Sequence, residues 1–301
     1  MKNLQVHNVH FLEVLEGFAK RLRDQGRPKS NAKTIVNQAR EFLYCLENKG
    51  IDDIFKVTQQ EVDDYITYLF NRPNRRKAGG LSIAYINKHR EAVLRLLEYI
   101  HEKPLGESGF YIPHYKHQAQ LKEILTVEEM VLVYQATDDT LTGITDRVML
   151  SLLYGCGLRK GELHNLEVND IDFGKGVIRL DNTKTKYERD VVMSPKVQQC
   201  LEEYLYNARE IMLPSHSTET HVMVTERGEK MSLATIPLRL KKLIARAGIK
   251  KNITPHGLRH SIATHLLEDL SLEEVAQFLG HRHLDSTQVY THIKEAQDGR
   301  F

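Results

Sequence analysis

Residues 254–267 read TPHGLRHSIATHLL, a stretch that predicts the first turns of a helix. Thr254 suits the N-cap, and Pro255 suits the first helical position, where its missing N–H costs no hydrogen bond. On such a helix His256 and Arg259 lie one turn apart on one face, close to free backbone N–H groups and to the positive end of the helix dipole. These features favour the binding of an anion.

A metal site is a second interpretation of the histidines. His256 and His260 have helical ligand spacing, and His281 with His283 could add further ligands. However, no glutamate stands between the helix histidines as in a zinc-protease motif, and Arg259 would place a permanent cation at the site. The pattern therefore favours an anion over a metal.

A structural role is a third interpretation, and it applies best to His260 and His265. Their neighbours include apolar residues that would form a core face of the helix, namely Ile262, Ala263, Leu266 and Leu267. A histidine beside such a face is most simply a core residue with a satisfied hydrogen bond. This interpretation fits the pair of His256 and Arg259 less well.

The composition is that of a globular protein large enough for two domains. The chain has 301 residues, of which 41% are hydrophobic and 27% charged, and its net charge of +2 does not by itself require a nucleic-acid partner. No apolar run is long enough to cross a bilayer, and the N-terminus lacks the apolar core of a signal peptide, so we expect a cytoplasmic protein. We expect free thiols at the three scattered cysteines, Cys45, Cys156 and Cys200.

Helical periodicity dominates the first hundred residues and predicts a four-helix domain over 1–105. Thr58 and Glu61 form a capping box ahead of the third helix, and the fourth begins near Ser82. Apolar residues at helical spacing mark the first two helices: Phe11, Leu15, Phe18 and Leu22, then Ile35, Ala39, Phe42 and Leu46.

A linker and a second domain follow. Residues 106–122 contain glycine, proline and basic residues without a helical period, which predicts a linker, and 123–301 form the second domain. Two β-rich runs, 177–180 and 191–193, flank a turn-like segment that contains lysines, and so they predict a β-hairpin. Residues 221–232 predict a further strand and turn. The predicted fold class is mainly α with a small β-hairpin or sheet.

Two clusters of basic residues lie at predicted loops and could contact phosphate, although a solvated surface is the usual role of such runs. The first, within 20–33, includes Lys20, Arg21, Arg23, Arg27, Lys29 and Lys33. The second, within 71–80, comprises Arg72, Arg75, Arg76 and Lys77.

Two further stretches resemble 254–267, because each places arginine, histidine or tyrosine side chains in or beside a predicted helix. In GLRKGEL, residues 157–163, Arg159 follows a glycine-rich helix end, and Glu162 is placed to pair with or orient it. In SLEEVAQFLGHRHLDSTQVYTHI, residues 271–293, a capped short helix is predicted to turn through His281 into a second helix that carries Tyr290.

These motifs, in this order, resemble those of the tyrosine recombinase family, also called the phage integrase family. The matching boxes are GLRKGEL, TKTKYERD, HGLRH, LGH and STQVYTHI. The resemblance covers the motifs from about residue 120 to 295, and the first domain resembles the family's core-binding domain in architecture. It implies a helical core-binding domain that clamps DNA, followed by a catalytic domain. The implied catalytic residues are Arg159, Lys184, His256, Arg259, His281 and Tyr290.

The resemblance also implies a reaction and a role for each residue. The Tyr290 hydroxyl would attack a phosphodiester to give a 3′-phosphotyrosyl link and a free 5′-hydroxyl, without ATP, metal or cofactor. The two arginines would grip the phosphate, His256 and His281 would assist by hydrogen bonding or proton transfer, and Lys184 would protonate the leaving oxygen. Lys186 competes with Lys184 for that last role.

The implied partner is double-stranded DNA that carries an inverted-repeat site. The basic clusters would then contact phosphate through Arg27, Lys29, Lys33, Arg72, Arg75, Arg76 and Lys77. The family assembles as a tetramer on two sites, of identical subunits or with a related recombinase, and the two-domain plan resembles Xer-type resolvases and mobile-element integrases. The alternatives are a DNA-binding protein of this fold that does not cleave, a type IB topoisomerase and, more distantly, a zinc hydrolase.

Overall fold

The computed structural model describes residues 4–74, 78–103, 107, 109–116, 123–182 and 187–279. The chain divides into two compact units, 1–120 and 121–301. In the described ranges, no helix is both long and apolar enough to cross a membrane.

The first unit consists of helices that pack around an apolar core. They are α1 (Val9–Asp24), α2 (Lys29–Asn48), α3 (Gln59–Asn71) and α4 (Ile83–Ile100), with a short 3-10 turn at Ile54–Lys56. The predicted apolar positions of α1 and α2 are buried, which confirms the helical periodicity as the source of this core. The capping box of Thr58 and Glu61 is present, and Ser82 caps α4 through the backbone N–H of Tyr85.

Part of the segment predicted as a linker packs on the first unit. The backbone of Tyr111 exchanges hydrogen bonds with the side-chain amide of Gln59, and the carbonyl oxygen of Ile112 accepts one from Arg90. Ile112 itself is buried in the core of the first unit. These contacts attach described residues between 109 and 116 to the helical unit.

The second unit is also mainly helical. Its helices are α5 (Val127–Gln135), α6 (Leu141–Leu150), α7 (Lys160–Asn165), α8 (Pro195–Glu203), α9 (Arg209–Met212), α10 (Thr235–Arg246), α11 (Pro255–Leu266) and α12 (Leu272–Phe278). Turns of π-helix at Ser151–Gly155 and Tyr204–Ala208 extend α6 and α8, and a 3-10 turn occupies Val168–Asp170.

A small antiparallel sheet interrupts these helices. Its strands β1 (Ile171–Asp172), β2 (Val177–Asn182) and β3 (Tyr187–Val192) lie in sequence order. The predicted hairpin of β2 and β3 is therefore confirmed, and β1 adds a strand that the sequence did not indicate. Ile178 pairs with Val191 and both side chains are buried, so one face of the hairpin belongs to the core.

Two local predictions were wrong in whole or in part. Residues 221–232 contain the predicted turn, at Glu226 and Arg227, but in place of the predicted strand they form isolated bridges, Glu167 with His221 and Val224 with Lys230. Leu267 was expected on the core face of α11, but it is 45% exposed because the helix ends at Leu266 and the chain turns away there.

Candidate active site

Arg159 is presented by a sharp turn at the end of a buried helix. The π-helical turn at Ser151–Gly155 widens the last turn of α6, and Gly157 then adopts a left-handed conformation with φ of 59°. This conformation suits glycine, since it has no Cβ to clash. Arg159 follows as the N-cap of α7, with 43% of its side chain exposed.

Glu162, in the first turn of α7, holds Arg159 at two points. Its Oε1 accepts a hydrogen bond of 2.7 Å from Nη1 of Arg159, and its Oε2 accepts one of 2.7 Å from the backbone N–H of the same residue. The prediction that Glu162 pairs with Arg159 is confirmed.

Arg189 is a third member of this cluster, and sequence reasoning missed it. Its Nη1 and Nη2 groups each donate a 2.9 Å hydrogen bond to one oxygen of Glu162, which makes a two-point fork. The one available signal was strand parity: Arg189 lies two residues before Val191 on β3, and Val191 is a core residue. An arginine on the core side of a strand needs a buried partner.

Arg259 lies in α11, which begins as predicted with Thr254 as N-cap and Pro255 at the first position. Only 6% of the residue is exposed. Its guanidinium donates to two backbone carbonyls, Nη1 to Gly157 and Nη2 to Leu279. The arginine therefore connects the turn before Arg159 to the end of α12.

The cluster carries an excess of positive charge. Burial lowers the pKa of Arg259 to about 10, with further lowering by the charges of Arg159 and Arg189 and an opposing effect of Glu162. Arg259 nevertheless remains protonated at neutral pH. Among the described residues, three guanidinium groups thus face one carboxylate. Because uncompensated charge in a partly buried site is costly, this part of the site favours an anion.

The histidines of α11 have different surroundings. His256 is exposed in the first helical turn, and its ring contacts that of His260 edge-on with centroids 4.7 Å apart. His265 is buried, and its Nδ1 lies 2.8 Å from the hydroxyl oxygen of Tyr154. The structural interpretation of His265 is confirmed. Within the described part of the chain, no group of three or more histidine, cysteine or acidic residues could hold a metal ion.

Lys184, His281 and Tyr290 lie outside the described residues, as does the competing Lys186. In the sequence, Lys184 and His281 lie close to described elements. Lys184 falls between β2 and β3, and His281 follows the described Leu279 by two residues. Their catalytic roles stay predictions.

The basic residues predicted to contact DNA also differ in environment. Lys29 and Lys33 are exposed in the first turns of α2, and Arg27 is half-buried just before it. Arg72 is only 12% exposed, and its Nε lies 2.8 Å from Oε1 of the buried Glu41. The remaining residues of the second cluster, Arg75, Arg76 and Lys77, lie outside the described ranges.

Comparison with known proteins matches the second unit to one family. Residues 123–297 match the model of the Phage integrase family. Over 303 aligned residues the chain is 30% identical to the tyrosine recombinase XerC of Oceanobacillus iheyensis. The alignment covers 97% of this chain and 93% of that relative.

Solved structures show the same fold. The XerH site-specific recombinase bound to a palindromic difH substrate matches with a TM-score of 0.66 and 20% identity, over 93% of this chain and 81% of that one. A lambda integrase tetramer bound to a Holliday junction matches with a TM-score of 0.66 and 18% identity. That match covers 93% of this chain and 79% of the lambda integrase chain. With the arginine cluster and the ordered motifs, these matches lead to one conclusion: the chain belongs to the phage integrase family of tyrosine recombinases, enzymes that cleave and rejoin DNA.

Proposed function

We propose that this recombinase cleaves DNA at a specific site through attack of the Tyr290 hydroxyl on a phosphodiester. A bond forms between the tyrosine oxygen and phosphorus while the bond from phosphorus to the 5′-oxygen breaks. The products are a 3′-phosphotyrosyl link and a free 5′-hydroxyl. Attack by a different 5′-hydroxyl reverses the reaction and joins the new strands, so the bond energy is conserved and ATP is not consumed.

The arginine cluster is the observation that carries this proposal. The phosphodiester gains negative charge as phosphorus becomes five-coordinate, and preorganised guanidinium groups stabilise that charge most strongly where water is excluded. Arg159 is partly exposed and can reach the substrate, while the buried Arg259 adds a second positive charge beside it.

The remaining catalytic residues supply proton transfers. A tyrosine with a pKa of about 10 is roughly one part in a thousand ionised at neutral pH, which corresponds to a deficit of about 4 kcal/mol. We assign His256 to accept or share the tyrosine proton, His281 to donate to a phosphate oxygen, and Lys184 to protonate the leaving 5′-oxygen.

We further propose that the DNA site is an inverted repeat and that four subunits act on two such sites. The palindromic substrate of XerH and the tetramer of lambda integrase on a Holliday junction support this assembly. In this proposal the first unit clamps the duplex through phosphate contacts of Arg27, Lys29 and Lys33, together with Arg75, Arg76 and Lys77 of the second basic cluster. Arg72 is left out because its guanidinium is paired with the buried Glu41. A subunit of identical sequence or a related recombinase can complete the tetramer.

The decisive experiment looks for the covalent intermediate. Wild-type protein, Tyr290→Phe and the control Tyr206→Phe, which alters a tyrosine that is 69% exposed, are mixed with nicked duplexes from a randomised inverted-repeat library. A denaturant-resistant adduct is expected from wild type and Tyr206→Phe and not from Tyr290→Phe, and sequencing the captured DNA gives the site. Specific binding by all three proteins with no adduct from any of them would contradict the proposal.

A further inference from the structure

The carboxylate of Glu162 is shared by two arginines in an unequal way. Arg189 engages both oxygens with a fork of two 2.9 Å hydrogen bonds, whereas Arg159 uses one guanidinium nitrogen, Nη1, and its backbone N–H. A carboxylate offers about four acceptor positions. With four donors in place, Glu162 is saturated.

Arg189 is well fixed in this arrangement. It pairs with Leu180 across the hairpin, and its side chain is only 10% exposed. Burial raises the pKa of Glu162, but the charge of Arg189 and the hydrogen bonds from Arg159 and Arg189 outweigh that effect and bring the pKa below its ordinary value. Among the groups that lower this pKa, the charge of Arg189 has the largest effect.

The arrangement leaves most of the Arg159 guanidinium available. Within the described part of the chain, Nε and Nη2 of Arg159 make no hydrogen bond, and the side chain is 43% exposed. Without Arg189, Glu162 would be free to turn both oxygens onto Arg159 and form a neutral two-point pair. Such a pair would consume the donors and the charge that a phosphate needs.

We propose that Arg189 is a positioning residue for cleavage: by holding Glu162 with its fork, it limits Glu162 to a one-nitrogen contact with the Arg159 guanidinium and leaves the rest of that guanidinium for the scissile phosphate. This inference rests on the proposed function, in which Arg159 binds that phosphate. The inference also gives β3 a role. This strand follows the segment of the sequence that contains Lys184, and its Arg189 joins the hairpin to Glu162 of α7.

The first test compares Arg189→Ala, Arg189→Lys and the control Arg179→Ala. Arg179 lies on β2 with 52% of its side chain exposed and pairs with Asp172, so the control removes an arginine from the same sheet. The readouts are the thermal melt, DNA affinity, and the rate of adduct formation at saturating protein. We expect Arg189→Ala to bind DNA within about threefold of wild type and to cleave about 10- to 100-fold more slowly, as for a misplaced catalytic group.

Arg189→Lys separates charge from geometry. Lysine retains the positive charge but cannot make the planar two-point contact, so we expect a cleavage rate between those of wild type and Arg189→Ala. If Arg189→Ala is unfolded at the assay temperature, Arg189→Lys decides. A folded Arg189→Lys protein that cleaves at the wild-type rate would then overturn the inference.

A double-mutant cycle with Arg159→Lys distinguishes positioning from a general loss of structure. If Arg189 acts through Arg159, Arg189→Ala should slow cleavage by less than about threefold in the Arg159→Lys background. An equal slowing in both backgrounds, or a folded Arg189→Ala protein that cleaves like wild type, refutes the inference. Absence of an adduct from wild type itself would instead refute the proposed function.

Discussion

The Nη2 group of Arg259 donates a hydrogen bond to the carbonyl oxygen of Leu279, the last described residue before His281. The Nη1 group of the same guanidinium donates to Gly157, two residues before Arg159. One buried side chain therefore ties the end of α12 to the turn that presents Arg159. Its predicted role at the phosphate and its observed role in joining two segments depend on the same planar group.

Substitution of Arg259 by lysine should remove both roles. A lysine retains the charge but has a single nitrogen, which cannot bridge two carbonyls in the geometry of a guanidinium. We expect a lower melting temperature and a rate of adduct formation reduced about 100-fold or more. Arg246→Lys is the control, because it makes the same change at an exposed site. The Arg246 side chain is 53% exposed, and its Nη1 lies 3.9 Å from Oδ2 of Asp138. Equal melting and cleavage of the two variants would contradict this prediction.

Gly157→Ala tests the turn itself. An added Cβ would lie 3.1 Å from Cδ2 of Leu279 and 3.2 Å from Cε1 of Phe278, and the φ of 59° is unfavourable for alanine. We expect a loss of about 1–2 kcal/mol in the free energy of unfolding, measured by denaturant titration.

Gly161→Ala is a matched control for that variant within the same motif. Gly161 is the second residue of α7, and among the described residues no atom outside its chain neighbours and the helix's own backbone comes within 4 Å of an added Cβ. Alanine has the higher helix propensity, so we expect a gain of about 0.5–1 kcal/mol. Similar destabilisation by both alanines would show that the turn at Gly157 has no special requirement.

The sequence predicted most of the local structure, because the relevant signals lie within a few residues of each other. The capping boxes of Thr58 with Glu61 and Ser271 with Glu274 form between residues three apart, and both are present. The same holds for the apolar faces of α1 and α2 and for the pairing of Arg159 with Glu162. Each of these features depends on residues only three or four positions apart in the sequence.

Contacts between distant segments were not predictable in this way. Arg189 and Glu162 are 27 positions apart, and their fork depends on how β3 packs beside α7. The partners of Arg259 are backbone carbonyls, which every residue has, so no side chain identifies Gly157 and Leu279 as acceptors. Sequence reasoning therefore identified Arg159, its partner Glu162 and Arg259, but it missed the fork of Arg189 and the two carbonyls that hold Arg259.

Glu162→Gln should change the acid stability of the second unit. The pKa of Glu162 in the folded protein lies below its ordinary value of 4.5, so the folded state favours the charged carboxylate more than the unfolded chain does. This contribution to stability is complete above pH 4.5 and is lost as the pH falls through the folded-state value. At pH 7, glutamine leaves two guanidinium groups without their anion, and the variant should be less stable than wild type. Thermal melts should show the difference in stability between wild type and Glu162→Gln narrowing below pH 4.5. A difference that stays constant would contradict the lowered pKa of Glu162.

Arg72→Ala should destabilise the first unit. Arg72 pairs with Glu41, and their side chains are 12% and 2% exposed, so the substitution leaves a buried carboxylate without this ion pair. Loss of one partner of a buried pair costs about 3 kcal/mol. Denaturant unfolding of Arg72→Ala and of Arg72→Ala with Glu41→Gln measures the effect. The second change should restore part of the stability, and a single variant as stable as wild type would argue against a structural role for the pair.

Lys29 and Lys33 provide the test of DNA binding by the first unit. Both are exposed, so Lys29→Ala and Lys33→Ala should leave the melting temperature within about 1 °C of wild type. If each lysine neutralises one phosphate, each substitution should reduce the slope of log affinity against log salt by about 1, measured by fluorescence anisotropy on the captured DNA site. Lys56→Ala removes an exposed charge outside the basic clusters, from a side chain that is 74% exposed, and should leave the slope unchanged. Equal slopes for all three variants and wild type would show that the exposed lysines of α2 do not contact the duplex.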